Sequence, residues 1–374
     1  MKNTIGNHIS CTIFGESHGD VIGIVMDGLP AGITIDIEHL QAQMEKRKAK
    51  GRISTQRHED DSVHITSGYF EGKTTGTPLT ILIENKAQHS QDYTKTKNRL
   101  RPSHADYTAD EKYLGFQDYR GGGHFSGRIT APLVAAGAIA LQILKTYGIL
   151  IGTHMENCHG IQDDAFTQDI KKLETQIKQM STQDFPVLNE EKGKQMREEI
   201  ENAAKQGDSV GGILESAIIH LPTGIGEPFF DSVESVLAHY LYSVPAVKGV
   251  SFGLGFQNAF LYGSEANDPI MMSEQGITTK TNHNAGINGG ITNGMPVIIH
   301  TCIKPTPSIY KEQETVDKKT KKSVTLQIQG RHDPAILHRA SVVVDSVLAL
   351  GILDLMIERL GTLSIQNKRK EESR

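Results

Sequence analysis

Residues 8–30 read HISCTIFGESHGDVIGIVMDGLP, and this stretch decides how the rest of the fold is interpreted. HISCTIF and DVIGIVMD are rich in β-branched residues and flank GESHG at 15–19, a pattern that predicts two strands joined by a turn. Ser17 completes G-x-S-x-G, the motif of serine hydrolases, but that motif requires a helix after the serine. Because a second strand follows instead, we predict a hairpin and not a nucleophile elbow.

Ser17 and His18 at the tip of this hairpin then have two interpretations. They line a pocket in which glycine lets the backbone approach a ligand, or they belong to a simple tight turn. The local sequence is compatible with both.

The pairing of strands recurs along the chain. Short β-branched runs are adjacent more often than they alternate with helices, which favours an α+β fold with antiparallel sheets. The stretch 129–147 carries small apolar residues on all sides, as expected of a buried helix. Other helices are predicted at 36–50, 230–242 and 338–360, and strands at 8–14, 21–27, 62–66, 78–84, 211–221, 250–255, 296–303 and 323–329.

Bulk composition excludes several classes of protein. The chain has 374 residues, a net charge of −5 and three cysteines. This length can bury a large core, and the acidic balance argues against a general nucleic-acid binder. The cysteines, each in or beside an apolar run, are expected to be buried thiols in a reducing cytoplasm. The N-terminus lacks the apolar core of a signal peptide, and the run 131–144 is short for a membrane span.

The segment 156–207 differs from the rest in composition. It is acidic, has few large apolar residues and contains two polar helical stretches. We expect it to be a solvent-exposed insertion or lid within a single domain spanning 1–374, and not to contribute to the core.

Arginines gather in glycine-rich loops that also carry histidine. Such loops are RLRPSH at 99–104, YRGGGHFSGRIT at 119–130 and GRHDP at 330–334. Guanidinium groups suit phosphates and carboxylates, and a glycine-rich helix start can cradle an anion. The pattern indicates a small polyanionic ligand. No metal is expected, because no Cys/His set has zinc spacing, and no P-loop or dinucleotide fingerprint occurs.

Together these stretches resemble the chorismate synthase family over almost the whole chain. The resemblance rests on segments in the family's order, namely NTIGNHISCTIFGESHGDVIGIVMDGLPAG, STQRHEDD, GTPLTILIENKAQHSQDY, RPSHADYT, DYRGGGHFSGRITA, GDSVGG, AVKGV, NHNAGINGGI, KPTPSI and GRHDPAILHRA.

The resemblance implies the last step of the shikimate pathway. 5-Enolpyruvylshikimate 3-phosphate loses phosphate and a C6 hydrogen by 1,4-anti elimination and becomes chorismate. The family requires reduced FMN, although the reaction has no net redox change. It also implies an α+β sandwich with buried helices between antiparallel sheets, assembled as a homotetramer.

Five residues match catalytic-site positions of the family. His18 matches the histidine placed to protonate the departing phosphate, and His104 the histidine near flavin N1. Asp333 matches the carboxylate that works with flavin N5 in removing the C6 proton, although its place before a helix also suits a simple N-cap. Ser17 and Ser126 match hydrogen-bonding serines.

The resemblance also implies a set of flavin contacts. Arg47 and Arg52 match positions assigned to nucleotide or substrate. The remaining implied contacts are His124, Phe125, Ser126, Pro245, Ala246, Gly289, Lys304, Pro305, Thr306, Pro307, Ser308 and Arg331.

The chain departs from the family at several positions. Where many members have GGGRSSARET, this chain has GGGHFSGRIT, so His124 replaces an arginine, Phe125 a serine and Ile129 a glutamate. Pro245 replaces a common asparagine, which removes a side-chain amide and a backbone donor.

Two other functions remain open from sequence alone. One is a serine hydrolase that uses Ser17, and the other is a flavin-binding homologue without catalysis. We see no nicotinamide-binding fingerprint, so we expect an external flavin reductase, with NADPH only an indirect source of electrons.

Overall fold

The computed structural model describes residues 3–49, 51, 53–54, 60–86, 97–274, 276–328 and 332–366. The helices are α1 Ile37–Arg47, α2 Asp106–Lys112, α3 Thr130–Thr146, α4 Ile170–Met180, α5 Glu190–Lys205, α6 Val233–Tyr242, α7 Gly263–Ala266 and α8 Leu337–Leu360. The strands are β1 Thr4–Ile5, β2 Ser10–Gly15, β3 Val21–Asp27, β4 Val63–Ser67, β5 Tyr69–Phe70, β6 Lys73–Thr74, β7 Leu79–Glu84, β8 Leu150–Cys158, β9 Ile161–Gln162, β10 Gly212–Ile219, β11 Val247–Phe252, β12 Ile270–Ser273, β13 Gly276–Thr279, β14 Ile287–Asn288, β15 Ile291–Thr292, β16 Val297–Ile303, β17 Gln313–Asp317 and β18 Lys322–Leu326.

The first five-stranded sheet contains the hairpin predicted from residues 8–30. Its order is β1-β2-β3-β7-β4, every pair is antiparallel, and β2 meets β3 with Gly15 opposite Ile22. The strand–turn–strand prediction is therefore confirmed. Alternate residues of β3, namely Ile22, Ile24 and Met26, are fully buried, because alternate side chains of a strand share one face.

The second five-stranded sheet has the order β11-β16-β10-β8-β9 and is also antiparallel. Between the sheets lie α3 and α8, which pack on each other. On their outer sides α3 contacts β3 and β7, and α8 contacts β8 and β10. The prediction of an α+β sandwich with buried helices between antiparallel sheets is confirmed.

Within the described residues, two helical stretches are apolar and long enough to cross a membrane by length and composition alone. They are Gly127–Thr146 and Leu337–Leu360, and 83% and 94% of their most apolar windows are buried inside the protein. Because the core itself requires such apolar helices, they are weak evidence for a membrane span.

The segment 156–207 forms two helices as predicted, α4 and α5. The expectation that it contributes no core is wrong. Met196 and Ile200 belong to the main hydrophobic core, and Leu173 and Ile177 to a second, smaller cluster beneath α4. The prediction failed because it relied on the polar composition of the segment. A helix that buries only one narrow face needs few apolar residues.

The cysteines divide into two kinds. Cys11 and Cys158 are buried free thiols, whereas Cys302 on β16 is exposed. The expectation of a buried thiol is wrong for Cys302, because the side chains of a strand alternate between its two faces.

Candidate active site

A cavity of about 780 Å³ opens beside the glycine-rich loop 120–129. Its other walls come from the end of α1, the chain after α6, residues 304–308 and the start of α8. A smaller cavity of about 380 Å³ adjoins it and shares His104, Phe125 and His332 as lining residues. Volumes of this size accommodate cofactors and small substrates.

The hairpin tip carrying Ser17 and His18 lies directly behind the glycine-rich loop. Ser17 is fully buried, its backbone N–H donates to the Gly123 carbonyl at 3.0 Å, and its Oγ is buried without a hydrogen-bond partner in the described part of the chain. A Cβ at Gly121 would lie 3.0 Å from Ser17 Oγ and still closer to the His18 ring. Both side chains therefore face the loop, but neither lines the two cavities, so the pocket interpretation stays a prediction.

Three successive left-handed glycines make this approach possible. Gly121, Gly122 and Gly123 have φ values of +58°, +89° and +55°, a region that favours glycine. His104 lies against the second of them, because a Cβ at Gly122 would be 3.2 Å from His104 Cε1. The loop therefore runs between the two histidines, with His18 next to Gly121 and His104 next to Gly122.

The turn that carries His104 is fixed by charge. Asp106, the first residue of α2, contacts His104 Nδ1 at 2.8 Å and forms an ion pair with Arg101. Burial alone would raise the pKa of Asp106, but hydrogen bonds from Arg101 and His104 outweigh it and hold that pKa well below its usual value. Lys304 Nζ donates to the Ser103 carbonyl at 2.7 Å on the other side of the turn.

Two buried arginines of the cavity wall, Arg47 and Arg128, bind the same carboxylate, that of Asp61. Arg47 donates to Asp61 at 2.8 Å, and Arg128 donates to the other oxygen of Asp61. Arg128 also bonds Asn85 Oδ1 at 3.0 Å, and Asn85 donates to the Glu16 and Gly19 carbonyls beside His18. Burial would raise the pKa of Asp61, but the two guanidinium groups outweigh it and lower that pKa. The network ties these arginines to the hairpin tip.

The remaining wall combines aromatic, apolar and polar groups. His124 Nδ1 lies 2.8 Å from the Gly15 carbonyl, and Phe125 packs edge-on against Tyr113. Thr306 Oγ1 is buried and has no hydrogen-bond partner among the residues described. Asp333 accepts from Arg339 at 2.7 Å.

The charge of the wall is strongly positive. Basic side chains outnumber carboxylates, which suits a ligand bearing phosphate and carboxylate groups. Among the described lining residues, the basic ones are Arg47, Lys48, Arg101, Arg128, Lys248, Lys304 and Arg339, and the acidic ones are Asp61 and Asp333.

Comparison with known proteins decides the family. A chorismate synthase family model matches residues 9–357. The chain belongs to the chorismate synthase family. Curated chorismate synthases from Pyrococcus abyssi and Methanobrevibacter smithii are both 44% identical, covering 95% and 96% of this chain and 97% of each relative. A crystal structure of chorismate synthase superposes with a TM-score of 0.76 at 25% identity, covering 98% of both chains.

Membership shows that the chain is an enzyme that acts on a small-molecule substrate, in a family that depends on reduced flavin. The hydrolase alternative is not supported, since the comparisons and the β2–β3 hairpin both point away from it. The resemblance to chorismate synthase drawn from the motifs is confirmed.

Most of the site residues predicted from the sequence lie at this cavity. Ser17 and His18 stand behind Gly121, outside the lining proper. The lining residues that the sequence proposed are Arg47, His104, His124, Phe125, Ser126, Pro245, Ala246, Lys304, Thr306, Pro307, Ser308 and Asp333.

Four of the proposed residues are not placed there. Pro305 lies against Gly211, the residue before β10. Gly289 lies at the tip of the β14–β15 hairpin, near the start of α6, whereas the cavity is at the other end of that helix. Arg52 and Arg331 lie outside the described residues, so their roles stay predictions.

Sequence reasoning did not select Asp61, Asn85 or Asp106. Asp106 follows His104 by two residues in RPSHAD, and Asp61 ends the charged run RHEDD. A carboxylate so near a working histidine or in a loop rich in arginine was an available signal. Asn85 offered none, because its contacts join segments far apart in sequence.

Proposed function

We propose that this chain converts 5-enolpyruvylshikimate 3-phosphate into chorismate and inorganic phosphate by 1,4-anti elimination, as a carbon–oxygen lyase. The C3–O bond to phosphate breaks, the C6–H bond gives up its proton, and a new double bond results. The observation that carries the proposal is the glycine-rich loop with His18 and His104 against successive glycines, beside a wall dominated by guanidinium groups.

The histidines are assigned to proton transfer. His18 protonates the departing phosphate, and its cationic form offsets the charge that develops there. His104 holds or releases the proton at flavin N1, a role that suits imidazole because it titrates near neutrality. Ser17 and Ser126 supply hydrogen bonds to the substrate.

Asp333 is assigned to removal of the C6 proton. Its ion pair with Arg339 keeps the carboxylate at the cavity wall. Arg339 in turn donates to the Arg47 carbonyl at 2.9 Å. The proposed base and one of the anion-binding arginines are therefore fixed in one framework.

The residues of the cavity fit reduced FMN. Thr306 Oγ1 is a buried hydroxyl lacking a hydrogen-bond partner within the described ranges, and Lys304 and Ser308 stand beside it to receive a phosphate. His124, Phe125 and the Ala246 backbone complete the flavin-holding set. Held by these residues, reduced flavin would supply transient electron donation that helps to expel phosphate, with no net redox change.

The departures from the family bear on how flavin is held. Where many family members have a glutamate, this chain has Ile129, and the isoleucine side chain packs in the hydrophobic core. Pro245 leaves only its carbonyl and ring for contact. The Ala246 carbonyl already accepts from Lys304 N–H at 3.0 Å, so Lys304 is positioned through its backbone as well as its side chain.

We further propose a cytoplasmic homotetramer made of single domains, supplied with reduced flavin by an external reductase and with NADPH acting only through that reductase. One hydrophobic core running from Ile9 to Ile365 supports the single domain. An exposed apolar face on the β12–β13 hairpin supports self-association: Ile270, Met272 and Ile277 share that face and are 77%, 72% and 74% exposed.

An anaerobic assay tests the function. Purified chain is mixed with 5-enolpyruvylshikimate 3-phosphate and either reduced or oxidised FMN, and chorismate and phosphate are followed together. The proposal requires both products in equal amounts with reduced FMN alone. Flavin binding without turnover would indicate a non-catalytic homologue, and Ser17-dependent labelling by a fluorophosphonate would favour a hydrolase.

A further inference from the structure

Both carboxylate oxygens of Asp106, at the start of the short helix α2, contact Arg101, and one of them also contacts His104. Its Oδ2 accepts from the Arg101 backbone N–H at 3.0 Å and from Arg101 Nε at 2.8 Å. Its Oδ1 accepts from Arg101 Nη2 at 2.6 Å and lies 2.8 Å from His104 Nδ1. The carboxylate therefore joins the guanidinium and the imidazole.

The direction of the imidazole contact follows from the charge of Asp106. An ionised carboxylate can only accept hydrogen bonds, and the pairing with Arg101 keeps it ionised. His104 must then donate from Nδ1, which leaves Nε2 as the nitrogen free to exchange a proton in the neutral ring. Nε2 lies next to Gly122, where a Cβ would be 3.3 Å from it, and both His104 and Gly122 line the smaller cavity of about 380 Å³.

We propose that Asp106 is a positioning residue that fixes the Nδ1–H tautomer of His104 and directs Nε2 into the cavity. The inference rests on the proposed function, in which His104 handles a proton during turnover. It matches the general arrangement in which a second group orients a working histidine through its other nitrogen.

A neighbouring Arg–Asp pair provides a comparison. In the next loop, Asp118 accepts from Arg120 Nε and Nη2, both at 2.8 Å, and from its backbone N–H at 3.1 Å. The charge of His18 also acts on Asp118. Asp106 binds its arginine in the same way and contacts the His104 ring directly at 2.8 Å, which points to a role beyond bracing the turn.

An Asp106→Asn variant separates the two roles. Arg101 directs two donors at the position of Oδ2, so the amide oxygen of asparagine takes that position. The amide nitrogen then occupies the Oδ1 position, where the bond from Arg101 Nη2 is lost and an N–H faces His104 Nδ1. The imidazole must accept there, and its proton moves to Nε2.

The experiment combines spectroscopy with kinetics. Ring-15N histidine is incorporated into wild-type, Asp106→Asn, Asp106→Glu and Asp110→Asn proteins, and solid-state 15N spectra are recorded. The His104 signals are assigned by their loss in His104→Gln. Asp110 is the matched control, because it lies one turn further along α2 and pairs with Lys318 without touching His104. Anaerobic kcat, KM and the affinity for reduced FMN are measured on each protein.

In Asp106→Asn we expect the protonated nitrogen of His104 to change from Nδ1 to Nε2 and kcat to fall roughly 10- to 100-fold. KM and the affinity for reduced FMN should change much less than kcat, because Arg101 keeps its two bonds to the oxygen at the Oδ2 position. Asp106→Glu should keep the Nδ1–H tautomer and recover part of kcat. Asp110→Asn should match wild type in both measurements.

Two results would overturn the inference while leaving the proposed function intact. One is an unchanged Nδ1–H tautomer in Asp106→Asn, and the other is a tautomer change with kcat at the wild-type value. Absence of chorismate formation by the wild-type protein would instead overturn the proposed function, and with it the role assigned to Asp106.

Discussion

Gly121 and His18 lie so close that a Cβ at position 121 would stand 2.2 Å from Cε1 of the imidazole and 2.4 Å from Nδ1. Real Cβ atoms do not approach other atoms at such distances. The imidazole of His18 can therefore occupy its position only because residue 121 is a glycine. The backbone bond from Ser17 to Gly123 couples the same two segments. The hairpin tip and the glycine-rich loop therefore act as one unit.

Gly121→Ala should displace His18 and strain a backbone at φ +58°. We expect turnover to fall about 100-fold or more, since a displacement near 1 Å can have this effect. Chorismate formation under anaerobic conditions measures it. Gly19→Ala is the control, because its Cβ would lie 3.4 Å from the Glu16 carboxylate and 3.5 Å from the Glu16 carbonyl oxygen, which are ordinary van der Waals distances. Equal losses in the two variants would contradict the steric argument.

Asp61→Asn should leave Arg47 and Arg128 facing each other without a compensating charge. Removing one member of a buried ion network typically destabilises a protein by about 3–5 kcal/mol, and we expect a loss of this order in urea unfolding. Because the folded-state pKa of Asp61 is lowered, its contribution is present above the unfolded pKa and lost as pH falls through the folded value. The exposed neighbour Asp60 provides the control, and Asp60→Asn should leave the unfolding midpoint unchanged.

His154 should make stability depend on pH in the opposite direction. It is fully buried between Asp163, at 3.0 Å, and Glu215, at 2.7 Å. Burial alone would lower its pKa, but these two carboxylates outweigh it and raise that pKa above 6.5. The stabilisation is therefore complete below the unfolded pKa and is lost as pH rises through the folded one.

Urea unfolding of wild type and His154→Gln at a series of pH values tests this expectation. The wild-type free energy of unfolding should decline above neutrality, by up to about 1.4 kcal/mol for each pH unit, and the variant should show less decline. The His300–Glu156 pair adds a residual slope of the same sign, because the pKa of His300 is also raised. Identical slopes would contradict the assignment.

Gly137→Ala should destabilise the contact between the two central helices. A Cβ at Gly137 of α3 would lie 2.2 Å from the Ser346 Cβ of α8. Overpacking of this kind costs about 1–3 kcal/mol. The added Cβ would also lie 2.4 Å from the Ser346 Cα, so a second substitution, Ser346→Gly, relieves only part of the clash and should recover only part of the stability in thermal unfolding. Wild-type stability of Gly137→Ala would contradict the close approach of the two helices.

Much of the fold was predictable because single segments determine it. The β2–β3 hairpin follows from β-branched runs around GESHG, and α3 follows from small apolar residues on every face. Element boundaries were less certain, since β11 begins at Val247 and not at residue 250. The core role of α5 could not be read from composition, because it depends on which sheet face the helix covers.

The candidate site was predictable where a motif carries its own chemistry. His18, His104 and Asp333 each stand in a loop with glycine, proline or arginine beside them. Asn85 could not be found this way, because its importance arises from its contact with Arg128, which only the folded chain creates. Placement of Gly289 away from the cavity likewise depends on tertiary packing.

A single-turnover experiment under anaerobic conditions tests most directly whether His18 serves the elimination. Wild type and His18→Ala are each mixed with reduced FMN and 5-enolpyruvylshikimate 3-phosphate, and phosphate release and chorismate formation are timed together. We predict equal amounts of both products from wild type, and rates about 100-fold or more lower in the variant, as expected for loss of a general acid. Phosphate release by His18→Ala at the wild-type rate, with substrate and flavin bound normally, would contradict the account.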